Sequence, residues 1–273
     1  MFTIFTCPKP FRGHSNIIQR NAIRSWTLLR PKPQIILVGN DEGTVDICEE
    51  FGICHIPQVQ RNEFETPVLN SIFSQAEKAA KHQLMCYINA DIILTAEFSA
   101  AAQKITGKIS RCLIVGQRWD VDVSEPVDFS DGWEQNLKAA VKKNGRLHGH
   151  TGIDFFIFNK GLFGEVLPFA LGRTMWDNWL IYKIRSQKIP VVDVTDATTV
   201  IHQNHNYSHL KDGNLWKGRE AKQNLALAGG YGYAFSILNA SHKLTPTGLK
   251  RNLSLSRLYY ETNRLVRRSL KTI

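Results

Sequence analysis

Over the first 115 residues, apolar and polar positions alternate between a strand-like and a helix-like period. Residues 2–6 form a short β-rich run. Ser15 can cap a helix, and Ile18, Ala22, Trp26 and Leu29 then recur at near-helical spacing as one apolar stripe. Arg30-Pro31-Lys32-Pro33 ends that helix, because proline cannot continue it. Residues 35–38 read as a buried strand closed by Gly39-Asn40-Asp41-Glu42-Gly43. A second cycle predicts a helix over 44–51 and a strand over 53–56. A third opens on Thr66-Pro67, a good N-cap and first-turn pair. Its buried face is Leu69, Ile72, Phe73, Ala76 and Ala80, and the following strand, 84–88, ends in Asn89-Ala90-Asp91. Repeated βα units imply an α/β domain with a mostly parallel central sheet and helices on both faces. Ligands in such sheets bind beyond the carboxyl ends of the strands, so the chemistry is sought there.

The pattern loosens from 120 to 152, where Asp120, Asp122, Glu125, Asp128 and Asp131 crowd around Pro126. It reads as a long surface loop with a short helix near 133–142. Regular structure resumes with a strand over 153–158, a helix over 175–186, and strands over 191–194 and 199–201. Beyond 207 the chain is polar and basic, with helical stretches near 219–228 and 254–270.

Composition then narrows the classes. The 273 residues are 43% hydrophobic and 21% charged, as in ordinary globular proteins. Thirty-four basic residues against 24 acidic ones leave a net charge of +10, which favours anionic partners such as nucleotide phosphates. The five cysteines form no CxxC pair and sit in apolar runs, as expected of reduced, buried thiols in a cytoplasmic protein. Neither a signal-peptide pattern nor an apolar run of about 18 residues is present. The basic residues from Lys250 to Lys271, interleaved with Leu258, Tyr259, Val266 and Leu270, suit a helix lying on the inner face of an anionic membrane. They suit slightly better a helix packed on the domain with solvated charges.

Four features could carry chemistry. Asp91, at a strand end between two apolar stretches, can hold Mg²⁺ or Mn²⁺, hard ions that prefer oxygen ligands. The structural alternative is a simple turn. His148-Gly149-His150-Thr151-Gly152-Ile153-Asp154 is a glycine loop that allows close backbone approach to a ligand, or merely a tight turn. Asp177, amid aromatics at a predicted helix start, is either an N-cap or, partly buried, a general base. His202, following a predicted strand, can ligate a metal. The run from His202 through His205 to His209 invites a zinc reading, but no Cys or acid accompanies it at zinc-finger spacing. His205 and His209 read as polar loop residues.

In this order, Asn89-Ala90-Asp91, Gly149 to Asp154, Trp176-Asp177 and His202 resemble the motif sequence of GT-A fold glycosyltransferases: βα units, a DxD motif, a glycine loop, an acid on a helix and a late histidine. The resemblance covers about residues 1–210. It implies a catalytic domain there, with a donor-binding half to about 118, an acceptor half over 119–210, and a basic extension over 211–273. It also implies transfer of a sugar from a nucleotide-diphosphate sugar to an acceptor hydroxyl, with inversion and a divalent metal. Asp91 and His202 would bind the metal, and Asp177 would deprotonate the acceptor. Asn89 and Ala90 would meet the donor ribose or a metal-bound water, and Gly152 and Asp154 would line the donor sugar pocket. Thr6, Pro8, Arg12 and Asp41 would border the nucleotide, with Arg61 and Asn70 at its base or phosphates. The acceptor would be a glycan or a lipid-linked glycan. Asn89 departs from the usual first acid of the motif, which shifts metal binding toward Asp91 and His202.

Two other classes remain. A nucleotidyltransferase usually carries a glycine-rich basic loop after its first strand, whereas Cys7-Pro8-Lys9-Pro10-Phe11-Arg12-Gly13 has one glycine. A non-enzymatic module for nucleic acid or another anionic polymer would suit the charge. However, Trp119, Trp133, Trp176 and Trp179 are interleaved with acids, which repel phosphate.

Overall fold

The computed structural model describes residues 1–205, 217–254, 258, 259 and 262. The chain begins β1 (Thr3–Thr6), α1 (Gly13–Leu28), β2 (Gln34–Val38), α2 (Thr44–Phe51), β3 (Cys54–Ile56), α3 (Leu69–Ala79), β4 (Leu84–Ile88). It continues through β5 (Ile92–Ile93), α4 (Ala96–Thr106), β6 (Leu113–Val115), β7 (Trp119–Val121), α5 (Trp133–Asn144), β8 (Arg146–Leu147), β9 (Phe155–Asn159) and α6 (Trp176–Ser186). It closes with β10 (Val191–Asp193), β11 (Ile201–Gln203), α7 (Arg219–Leu227), β12 (His242–Thr245) and β13 (Gly248–Arg251).

Nine strands form the main sheet in the order β13-β12-β10-β6-β9-β4-β1-β2-β3. Five of its eight neighbour pairs are parallel and fall in two blocks: β1 to β4 are mutually parallel, and so are β6, β10 and β12, with β13 antiparallel at the edge. Between the blocks runs β9, antiparallel to both β4 and β6. Strands buried on both faces explain the unbroken apolar runs of the sequence. Ile36 and Val38, Met85 and Tyr87, and Phe156 and Phe158 point to the core under α3 and α6. Their neighbours Ile35, Leu37, Cys86, Ile88, Phe155 and Ile157 point to the core under α1 and α4. Trp26, fully buried on α1, donates its indole N–H to the Ile92 carbonyl, which ties that helix to the strand edge beside Asp91.

Several predicted elements move. The third helix starts at Leu69 rather than at Pro67, because Pro67 bridges to Arg61 and Val68 to Ala170. Val68, not Thr66, holds the N-cap position. The stretch 120–152 is not mainly loop. It holds β7, α5 and β8, and its irregular part is fastened over α1 where Asn21 donates to Glu125 O and accepts from Val127 N–H. The histidine expected after a strand over 199–201 lies within β11 itself. The segment from 217 onward supplies α7 and the β12–β13 hairpin at the sheet edge. Most of the predicted basic helix over 254–270 lies outside the described residues, as does His209. Among the described residues no helix is long and apolar enough to cross a membrane. All five cysteines are free.

Candidate active site

A second, four-stranded sheet, β5-β11-β7-β8, builds the site. In its register His202 pairs with Ile92 on one side and Asp120 on the other, while Asp120 also pairs with Arg146. Residues far apart along the chain thereby become cross-strand neighbours, whose side chains stand about 5 Å apart. Strand alternation then separates roles. Gln203 turns the other way, donating to Ile18 O and Asp91 O and accepting from Asn21, and so fixes the backbone that carries Asp91.

The Asp91 carboxylate sits just past β4. His205 Nε2 lies 3.0 Å from its Oδ2 and His202 Nε2 lies 3.8 Å from it. The ligating atoms of these three residues fall within 4.8 Å of one another. Asp91 Oδ1 is buried and meets no hydrogen-bond partner among the described residues. Burial pushes the Asp91 carboxyl up, but the His205 hydrogen bond and the charges of His202 and Lys9 outweigh it and hold the group well below the usual carboxylate range. Reading His205 as a bland loop residue is therefore corrected by its position.

Behind this cluster lies a buried ion-pair network. Arg118 Nε donates to Asp120 Oδ1 at 2.9 Å and its NH1 to Asp154 Oδ2 at 2.5 Å. The second Asp120 oxygen meets His148 Nδ1 at 2.6 Å, and His202 Nδ1 stands 3.3 Å from Oδ1. Asn89 donates its amide to Asp154 Oδ1 at 2.6 Å and accepts the Tyr87 hydroxyl at 3.2 Å, so its side chain is occupied by protein groups. Ala90, buried, spaces it from Asp91. In the glycine loop, a Cβ on Gly152 would fall 2.5 Å from the His148 ring, so the residue must be glycine for that ring to reach Asp120.

Asp177 opens α6. The N-cap of that helix, Met175, two residues before Asp177, has a φ of 85°, a left-handed conformation that is unusual for a non-glycine residue. Burial raises the Asp177 carboxyl to about 7, opposed by backbone N–H bonds from Asn178 and Ile153 and assisted by the nearby charge of Asp154. Burial pushes the Tyr87 hydroxyl well up, and the charges of Cys7, Asp91, Asp154 and Asp177 push the same way.

The remaining expected residues divide. Asp41 and Arg61 pair at 2.9 Å beside Cys7, whose thiol burial drives up to about 12. Thr6 Oγ1 and Asn70 Oδ1 are buried without partners among the described residues. Pro8 is buried in the same turn. Arg12 stands apart, exposed and paired with Glu42. Sequence reasoning overlooked Lys9, whose ammonium is pulled down by burial and supported by Asp91. It also overlooked the roles of Arg118, Asp120 and His148. A three-residue strand such as β7 is too short to show an alternation that would have pointed to them.

Known structures share this architecture. S. aureus TarS (residues 1–349), solved with UDP-GlcNAc, is 11% identical, with 81% of this chain and 60% of that chain covered and a TM-score of 0.50. GalNAc-T7, solved with UDP, GalNAc and Mn²⁺, is 14% identical, with 84% and 48% covered and a TM-score of 0.53. The fold is the GT-A fold. At such identities the likeness is one of fold, and the chain spans about half to three fifths of those two proteins. No protein-family model matches the sequence, and no curated protein matches it. In the main sheet β4 lies beside the central strand β9, Asn89-Ala90-Asp91 trail from its end, and β11 delivers His202 to the same point.

Proposed function

We propose that the chain is a glycosyltransferase that moves a sugar from a nucleotide-diphosphate sugar to an acceptor hydroxyl with the help of Mn²⁺ or Mg²⁺. The observation that carries this reading is the Asp91–His202–His205 cluster with its orphaned buried oxygen at the end of β4. Such a donor set fits a divalent ion. The 3.8 Å between His202 Nε2 and Asp91 Oδ2 is too long for a hydrogen bond. It lies within the roughly 4 Å that two ligands of one ion can span. Asp91, His202 and His205 would hold the ion, and its charge would offset that developing on the departing diphosphate.

The other residues then take roles from their positions. The turn after β1, with Thr6, Pro8 and Lys9, and the Asp41–Arg61 pair border the nucleotide, with Asn70 reaching in from α3. Lys9 supplies a cation toward the phosphates. Asp154 and Gly152 line the sugar side, and Asn89 holds Asp154 in place. Asp177, with a carboxyl near 7, is tuned to take a proton from the acceptor hydroxyl at neutral pH. A base on the acceptor side suits direct displacement with inversion, and retention in the product's anomeric NMR signal would refute that. The donor half reaches to about 118 and the acceptor half follows it. A glycan or lipid-linked acceptor, and a place on the inner face of a membrane, extend the reading to the basic C-terminus.

Calorimetry of UDP and GDP binding, with and without Mn²⁺, tests the proposal on the full chain and on Asp91→Ala. Metal-dependent binding of one nucleotide that Asp91→Ala abolishes supports it. Binding of neither nucleotide to folded protein removes it. Nothing favours nucleotidyl transfer: the loop after β1 has one glycine, and Gln19 pins it through two hydrogen bonds with the Lys9 backbone.

A further inference from the structure

We infer that Asp120 is the positioning residue of the metal centre, fixing through His202 the nitrogen that faces the ion. The inference rests on the metal-dependent reading of the site. His202 is 5% exposed and stands in β11 directly across from Asp120 in β7, so the pairing register itself sets their approach. One imidazole edge, Nδ1, lies 3.3 Å from Asp120 Oδ1, and the opposite edge, Nε2, is directed to Asp91. A carboxylate can only accept. Nδ1 makes no aligned hydrogen bond among the described residues, so Asp120 acts on it as a nearby negative charge that favours a proton on that edge and leaves Nε2 to an ion held with Asp91.

Three features suit Asp120 to this task beyond proximity. Arg118 bonds the same Oδ1, and that fixed cation in a buried setting holds the carboxylate in one rotamer. His148 occupies the other oxygen, so the carboxylate cannot swing away from His202. Arg118 also grips Asp154, and Asp154 grips Asn89, two residues before Asp91. The same chain of bonds therefore reaches the metal centre from both sides, and the glycine loop is joined to it through His148. Sequence spacing hides this, because Asp120 reads as one acid among five in a loop.

The test compares Mn²⁺ binding, followed by the electron paramagnetic resonance of the free ion, for the full wild-type chain and for Asp120→Ala, Asp120→Asn and His202→Ala. The expected dissociation constant rises about 10- to 100-fold in Asp120→Ala, the usual consequence of losing an outer partner of a ligand. The rise is smaller in Asp120→Asn, whose amide oxygen, drawn to Arg118, can still accept from His202. Asp120→Ala should add nothing further in a His202→Ala background, because the two act through one ligand. Nitrogen-15 NMR of the histidines, without metal, should show His202 protonated on Nδ1 in the wild type and not in Asp120→Ala. Circular dichroism identifies any variant that fails to fold, and the wild-type tautomer then carries the test. Additive effects in the double variant, or an Nε2–H tautomer in the wild type, would overturn the inference and leave the metal site standing. A wild type that binds no Mn²⁺ overturns both.

Discussion

Asp91 and Asp177 carry the same functional group on two sides of one centre, yet their surroundings drive them in opposite directions. Both are withdrawn from water, which alone would neutralise each. At Asp91, at the end of β4, two histidines and Lys9 more than compensate, and the carboxylate is held charged. At Asp177, at the start of α6, only backbone N–H groups oppose burial and the neighbouring Asp154 adds repulsion, so the carboxyl titrates near 7. Burial sets the scale of a shift, and the sign of the nearest charges decides its direction. One acid is thereby fit to hold a cation and the other to exchange a proton.

Making the two acids alike should break the site. Asp177→Asn is expected to lower kcat by about 10²- to 10⁴-fold, the span attributed to a positioned base, with nucleotide affinity unchanged. Steady-state rates with donor and acceptor supplied would show it, and an unchanged kcat would remove Asp177 as the base. Asp91→Asn should instead strip the Mn²⁺ dependence from nucleotide binding, by more than the 10- to 100-fold that loss of an outer partner causes. Calorimetry reads this directly.

Stability against pH sharpens the contrast. Between the ordinary aspartate value of about 4 and about 7, the folded chain keeps a proton on Asp177 that the unfolded chain has released. Stability contributed by that group is complete below about 4 and is lost as pH rises toward 7. Asp91 behaves inversely: its contribution is present above about 4 and disappears in stronger acid. Asp177→Asn should accordingly stabilise the fold by about 2–4 kcal/mol at pH 8 and leave it unaltered at pH 4. Thermal melts at the two pH values would decide. Gly152→Ala, which forces the His148 ring away from Asp120, should cost about 1–3 kcal/mol. Arg12→Ala should change stability and nucleotide affinity by less than about 1 kcal/mol, since its pair with Glu42 is solvent-exposed. A tenfold loss of nucleotide binding in that variant would bring Arg12 back to the donor phosphates.

The βα rhythm of the first 115 residues was legible because long apolar runs and helical stripes are strong, local signals. The stripe of Ile18, Ala22, Trp26 and Leu29 is buried as a unit. Thr66-Pro67 misled because its helix-start chemistry was overridden by the pairing of Pro67 with Arg61 and of Val68 with Ala170. Asp91, Asp177 and His202 could be singled out as chemistry flanked by apolar residues. Asp120, Arg118 and His148 could not, because their significance lies in the register of strands two or three residues long. His205 was passed over for a related reason: it follows β11 by two residues and becomes informative only once Asp91 is beside it.

The small sheet also links distant parts of the chain through one ion. Asp91 belongs to the early βα units, and His202 and His205 arrive only when β11 has docked between β5 and β7. Closing so long a loop comes late in folding. An ion that binds only the closed arrangement would raise the melting temperature in proportion to the logarithm of its concentration. Added Mn²⁺ would then serve as a reporter of completed assembly, and a simple thermal shift could rank donor nucleotides before any acceptor is known.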